Sequence, residues 1–275
     1  MLRSFGVQLV RVMILAVCGM LAMIQVNVKT LAAPAIRNDY KSFLKSAETL
    51  YTAVNNGDFA QVLTIMKVIE QRLIHLSLKD VVSAEGIEAL AANVAGLKKA
   101  TIAVKQDPLQ WQMGAAKLRL AADALANPDQ PLWFQYQSVL KEDISTLKGT
   151  LVAYASGQQV PKAALTASKQ LQQHYQLIRT AALLKLAPEL IERSDSVFRY
   201  MNTLMQAQSP KYELVQNMME PLQDAITALF PEDGKATATT IVGATSVPLG
   251  WMITLGVFII AVLSWASWKR YQSEH

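Results

Sequence analysis

A chain of 275 residues with 26 lysines and arginines against 21 acids carries a formal net charge of +5, which raises the question of nucleic-acid binding. That excess does not belong to a folded surface: Arg3, Arg11, Lys29, Lys269 and Arg270 flank apolar runs at the two ends, and the region between them is close to neutral. A phosphate-binding face is thereby excluded as the source of the basic balance, and the lone Cys18, inside the first apolar run, leaves the rest of the chain without disulfides, cysteine-ligated metals or cysteine nucleophiles.

At the start, Arg3 and Arg11 precede the apolar run Val12 to Val28, and Ala33-Pro34-Ala35 follows as a small-residue exit. A basic stretch, an apolar stretch and small residues in that order make a secretory signal, so residues 1–35 are expected to direct export. The run approaches the length of a membrane span, and an uncleaved anchor is the alternative.

From Arg37 onward apolar residues recur at three and four. Tyr40, Phe43, Ala47, Leu50, Tyr51 and Val54 make one stripe; Phe59, Val62, Met66, Ile69, Leu73 and Leu76 make a second; Ile87, Leu90, Val94, Leu97 and Val104 make a third. Breaks fall between the stripes. Asn56-Gly57 stops the first helix and Asp58 caps the second, Ser83 precedes the third, and Asp107-Pro108 supplies a cap followed by proline at the first helical position.

Farther along, Asn127 to Pro131 separates two helices, Gly157 to Pro161 separates the next pair and Ser209-Pro210 opens the last, while Pro188 and Pro221 fall inside helical patterns as kinks or breaks. Seven or eight helices with short loops predict an all-α fold for residues 36–232, an extracytoplasmic antiparallel bundle or a short helical solenoid. Residues 233–246, rich in Ala, Thr and Gly, read as a flexible stalk.

Between Lys235 and Lys269 there is no charged residue, and about 20 apolar residues at ~1.5 Å rise match the ~30 Å hydrocarbon core. Residues 247–267 therefore read as a C-terminal transmembrane helix, with Trp251, Trp265, Trp268 and Tyr271 as interface anchors and Lys269 and Arg270 as the cytoplasmic stop. The tail 268–275 is short. Basic residues at both extremes keep those ends in the cytoplasm and place the main domain outside the cell membrane, in contact with the lipid bilayer only through its anchors.

Raw material for catalysis is sparse. His75 ends an apolar stripe, His174 sits beside glutamines and His275 closes the chain; neither zinc and calcium motifs nor phosphate-cradling glycine loops occur. Glu189, Glu192 and Asp195 share a helical segment at a density ordinary for a surface. The expectation is a protein that is not an enzyme, with no cofactor, no metal and no nucleic acid.

The most distinctive window runs from Asp107 to Trp133. Arg119 and Asp123 are four apart and so positioned to pair along a helix, with Trp111 and Trp133 flanking the hairpin. Two readings compete: the four residues pack the hairpin, or they form an aromatic and arginine-bearing surface for a partner, since such residues dominate interface energetics.

Asp107-Pro108 with Trp111, the segment Leu118 to Leu125 (LRLAADAL), the turn Pro131-Leu132-Trp133, and the order signal, helical domain, C-terminal span resemble the YpjB-type sporulation proteins of endospore-forming Firmicutes. The resemblance implies a membrane-associated role in spore formation and supplies no catalytic residue. Ala47, Leu50, Tyr51, Gly57, Asp58, Phe59 and Leu63 also look like part of one tetratricopeptide unit, but the 34-residue period of such arrays does not return downstream. The expected function is a non-enzymatic sporulation protein, held at the membrane, whose helical domain binds or positions another envelope protein. A module that binds the cell wall or its polymers is the alternative, and a cryptic envelope hydrolase is the third.

Overall fold

The computed structural model describes residues 37–79, 81–103, 107–152, 154 and 159–230. The expected signal (1–35), stalk (233–246), membrane span (247–267) and tail (268–275) lie outside the described residues, as do Trp251, Trp265, Trp268, Lys269, Arg270 and Tyr271. Among the described residues no helix is long and apolar enough to cross a membrane.

What is described is helical throughout. The helices are α1 (37–55), α2 (Phe59–His75), α3 (Ala84–Thr101), α4 (Pro108–Ala126), α5 (Tyr136–Leu151), α6 (Lys162–Leu183), α7 (Pro188–Gln206), α8 (Tyr212–Asn217) and α9 (Met219–Ala228), with one 3-10 turn at Leu132–Gln135.

Local chemistry sets most of the boundaries. Gly57 adopts φ +70°, a left-handed conformation that ends α1 at little steric cost. Asp58, Ser83 and Asp107 each accept a backbone N–H from the first turn of the following helix, at Gln61, Gly86 and Leu109 respectively. The two prolines inside helical patterns act differently. Pro188 occupies the first position of α7, where a missing N–H costs nothing, so it marks a break. Pro221 lies in the first turn of α9, just after the chain changes from α8 to α9 at Met218.

Two cores form. One gathers Phe43, Leu50, Val62, Ile69, Leu90, Val94 and Trp111 from α1 to α4; the other gathers Leu140, Leu147, Leu171, Ile178, Phe198 and Leu222 from α5 to α9. In a solenoid each hairpin would stack on the next. Here α6 packs on α3, α4, α5 and α7, and α9 returns to α5, so the C-terminal half closes into a bundle.

α6 packs extensively on both α4 and α5. α4 serves both cores: Trp111, Ala115, Leu118, Ala121, Ala122 and Leu125 face the first, and Leu120 and Ala124 face the second. A helix covered on two sides must be apolar nearly all round, which explains why Leu120 to Ala126 is buried without interruption. Alanine predominates there because two layers have to approach one thin helix.

At the start of α3, a Cβ on Gly86 would come within 2.9 Å of the Leu183 carbonyl oxygen at the end of α6. Only glycine permits that approach.

Candidate functional site

The window from Asp107 to Trp133 is the joint between the two cores. Trp111, one turn into α4, is buried; its indole N–H donates to the Ala100 carbonyl at 2.9 Å, and its ring meets Phe59 edge-on with centroids 4.8 Å apart. α4 is thus fastened to the ends of α2 and α3. Trp133, on the 3-10 turn, is completely buried; its ring meets Phe134 edge-on with centroids 4.6 Å apart and lies tilted against Phe230 at 5.3 Å. Its Nε1 has no hydrogen-bond partner among the described residues. An exposed aromatic surface made by these two tryptophans is incompatible with their burial.

Arg119 and Asp123 do not form the ion pair that their spacing suggests. Asp123 is 3% exposed, and both of its oxygens are taken: Oδ1 accepts from Asn127 Nδ2 at 2.6 Å and Oδ2 from the Leu132 backbone N–H at 2.5 Å. The carboxylate staples the 127–131 connection, where otherwise buried donors would be left unpaired. Arg119 turns outward instead, and its guanidinium carbon lies 5.2 Å from the centroid of the Tyr51 ring. A cation over an aromatic face, with its stem along the helix, keeps the charge hydrated and ties α4 to α1.

Two polar networks escaped the sequence reading because their members are distant in the chain. On one side of α6, His174 Nδ1 lies 2.5 Å from Asp143 Oδ2, and Gln170 Nε2 donates to Asp143 Oδ1 at 3.1 Å; Asp143 is buried. On the other, Asp195 accepts two N–H groups of Arg179, Nε at 2.9 Å and Nη2 at 2.6 Å, and the Tyr175 hydroxyl at 2.7 Å. Burial, reinforced by the donation to Asp195, pushes the Tyr175 phenol well above its ordinary range. The Tyr175 ring stacks on Phe198 with centroids 4.1 Å apart, so this network is pinned to the second core. Asp195 is occupied in this way and is not paired with Glu189 or Glu192 for acid–base work.

Among the described residues no three His, Cys, Asp or Glu side chains converge as a metal site, and His174 is hydrogen-bonded to no hydroxyl. Lys117 on α4 and Lys185 after α6 are half-buried cations. Burial lowers both ammonium groups; the nearby Arg179 guanidinium lowers Lys117 further, whereas Asp129 partly offsets the effect at Lys185.

The joint built from Trp111, Asp123 and Trp133 lies within a stretch that matches a known family. The family described as Sporulation protein YpjB (SpoYpjB) matches residues 41–275. The chain belongs to that family. The match begins in α1 and runs through the rest of the helical domain and the C-terminal residues beyond it, so it extends well past the α4 hairpin. No curated protein and no solved structure matches the chain.

Proposed function

We propose that this sporulation-family protein is a non-enzymatic membrane tether, whose helical domain stands outside the cytoplasm and docks another envelope protein through the face formed by α2 and α3. The observation that carries the docking surface is a shallow apolar groove between those helices, lined by Leu73, Ile74, Ala91, Val94, Ala95 and Ile102. Ile74 is 79% exposed and Ile102 67% exposed. Isolated exposed apolar residues are ordinary, but two β-branched side chains at the rim of one apolar groove form a patch of the kind that partners cover.

The rim selects the partner. Lys98 is paired with Glu70 at 2.8 Å, while the neighbouring Lys99 is exposed. A partner with an apolar ridge and an acidic edge fits this surface, with the charge serving orientation more than affinity. The export signal and the C-terminal span read from the sequence supply the tether, which confines the domain near the membrane and raises its effective concentration there. Wall binding through exposed Tyr and Trp loses Trp111 and Trp133, which are core residues, and is left with tyrosines such as Tyr200 and Tyr212.

A photocrosslinking residue placed at 74, 102 or 152 in the full chain tests the proposal in sporulating cells. Val152, 78% exposed at the end of α5, is the control. One protein product shared by positions 74 and 102 and missing at 152 is expected. An identical product at all three positions, or none at any, would remove the α2–α3 face from consideration. Deleting 247–267 should release the chain from the membrane fraction, and retention would refute tethering by the C-terminal span.

A further inference from the structure

Between α3, α4 and α6, on the other side of α3 from the apolar groove, lies a cleft of about 420 Å³. Its walls bring together three hydrogen-bond donors that the fold leaves incompletely used. Asn93 buries its Nδ2 without an acceptor among the described residues. Lys117 has no salt-bridge partner among them, although it is half-buried beside a second cation. Arg179 gives Nε and Nη2 to Asp195, and its Nη1 has no acceptor among the described residues.

Of the three, the Asn93 amide is buried and its missing acceptor is costly, while Lys117 and Arg179 present their unused N–H groups at the cleft. A satisfied core would have placed a carboxylate here. Instead the wall is made of small residues, including Gly96 and Gly114. A Cβ built on Gly96 meets nothing within 4 Å, so the space in front of α3 is open.

The charges sum to a definite preference. Lys117 and Arg179 contribute two positive charges and Asp195 one negative, leaving a single positive charge to be met by an occupant. A second basin of about 330 Å³ continues from the first, sharing Ala89, Ala92 and Arg179, and carries Glu85, Glu88 and Glu192 on its wall. The acids at that end repel a polyanion from running along the whole groove, and restrict a negative group to the Lys117 end.

We propose that the cleft between α3, α4 and α6 is a binding site for a small monoanionic oxyanion group, a carboxylate or a singly charged phosphate, held by Lys117, Arg179 and Asn93. Burial and the neighbouring Arg179 lower the Lys117 ammonium, and an oxyanion in the cleft would supply a counter-charge to both cations. Lys117 lines the cleft, so its rate of acetylation reports on occupancy there. This inference is independent of the docking face on α2 and α3.

The test is lysine-resolved acetylation kinetics, read by mass spectrometry on the full chain in nonionic detergent. Inorganic phosphate and N-acetylalanine are the two probes, sodium chloride at equal ionic strength is the reference, and exposed Lys98 is the internal control. Acetylation of Lys117 should slow about tenfold once a probe exceeds its dissociation constant about tenfold, by mass action, with Lys98 unaffected. Protection by phosphate alone assigns a phosphate group, and protection by N-acetylalanine alone assigns a carboxylate. Protection by both means that the site reads charge and size only.

Gly96→Leu fills the cleft from an open position and should abolish the protection while leaving the melting temperature unchanged or higher. If that variant melts early, Lys117→Gln replaces it, with loss of the probe-induced rise in melting temperature as the readout. No protection by either probe, or equal protection in Gly96→Leu, would overturn the proposal.

Discussion

The two cores each contain one tryptophan of the family window, and the two rings are held in different ways. In the first core Trp111 is oriented by a directional bond, its N–H on the Ala100 carbonyl, with one edge-on aromatic neighbour. In the second, Trp133 has no partner for its N–H among the described residues and is held by shape, between Phe134 and Phe230. A hydrogen bond fixes one geometry at one point, whereas packing distributes the constraint over many contacts. α4 joins the two regimes, anchored at its start by Trp111 and at its end by the Asp123 staple that delivers Trp133.

The largest effect should come from emptying the second core. Trp133→Ala is expected to cost about 3–5 kcal/mol in denaturant unfolding, because a fully buried indole leaves a cavity that the surrounding helices cannot close. A cost below about 1 kcal/mol would mean that the 3-10 turn is not the keystone of that core.

Next comes the staple. Asp123→Ala strands the Leu132 N–H, whereas the exposed Asn127 amide can turn to water, and should cost about 1–3 kcal/mol, the usual penalty for one stranded donor. Asp123→Asn, which keeps one acceptor, should cost less. If the two variants were equal in calorimetry, the bond to Leu132 would carry little of the joint's stability.

Tyr175→Phe should cost about 1–2 kcal/mol near neutral pH through its bond to a charged acceptor, with a signature in pH. Burial raises the folded-state phenol above its ordinary 10.0. Its contribution is therefore complete below that pH and is lost as pH rises above it, because the unfolded chain gives up the proton first. The stability gap between the parent and Tyr175→Phe should shrink above pH 10; a gap that widens there would reverse the assignment. The lysines at 117 and 185 titrate in the opposite sense but are common to both proteins, so the difference cancels them.

The smallest effect sharpens the contrast between the tryptophans. Trp111→Phe loses the bond to Ala100 along with ring volume, while Trp133→Phe loses ring volume and removes an unpaired buried donor. The first should exceed the second by about 1 kcal/mol, the usual net value of one hydrogen bond. The reverse order in paired unfolding curves would show that shape outweighs the bond in both cores.

What the sequence made legible was local. Asp58, Ser83, Asp107 and Gly57 punctuate the helices as their types dictate, since a cap is decided by residues within one turn. The error at Arg119 and Asp123 has the same origin: their spacing permits a pair along the helix, but Leu132, brought in by the hairpin, takes the carboxylate first. Partners 31 residues apart, as for His174 and Asp143, or 16 apart, as for Arg179 and Asp195, leave no periodic trace. The cleft was invisible for that reason too, since Asn93, Gly96, Lys117 and Arg179 come from three helices. A clue did exist in the stretch Leu120 to Ala126, apolar at every position except Asp123, which a helix with one wet face would not carry.

The division between a packed joint and an exposed docking face is tested most directly by spore yield in cells carrying two variants of the full chain. Ile74→Glu with Ile102→Glu alters only the exposed rim of the α2–α3 groove, and Trp111→Phe with Trp133→Phe alters only the core. The isoleucine pair should lower spore yield with the chain at normal abundance and melting temperature, while the tryptophan pair should retain function so long as the chain stays folded. Full sporulation with the isoleucine pair, and loss with a tryptophan pair that remains folded, would contradict it.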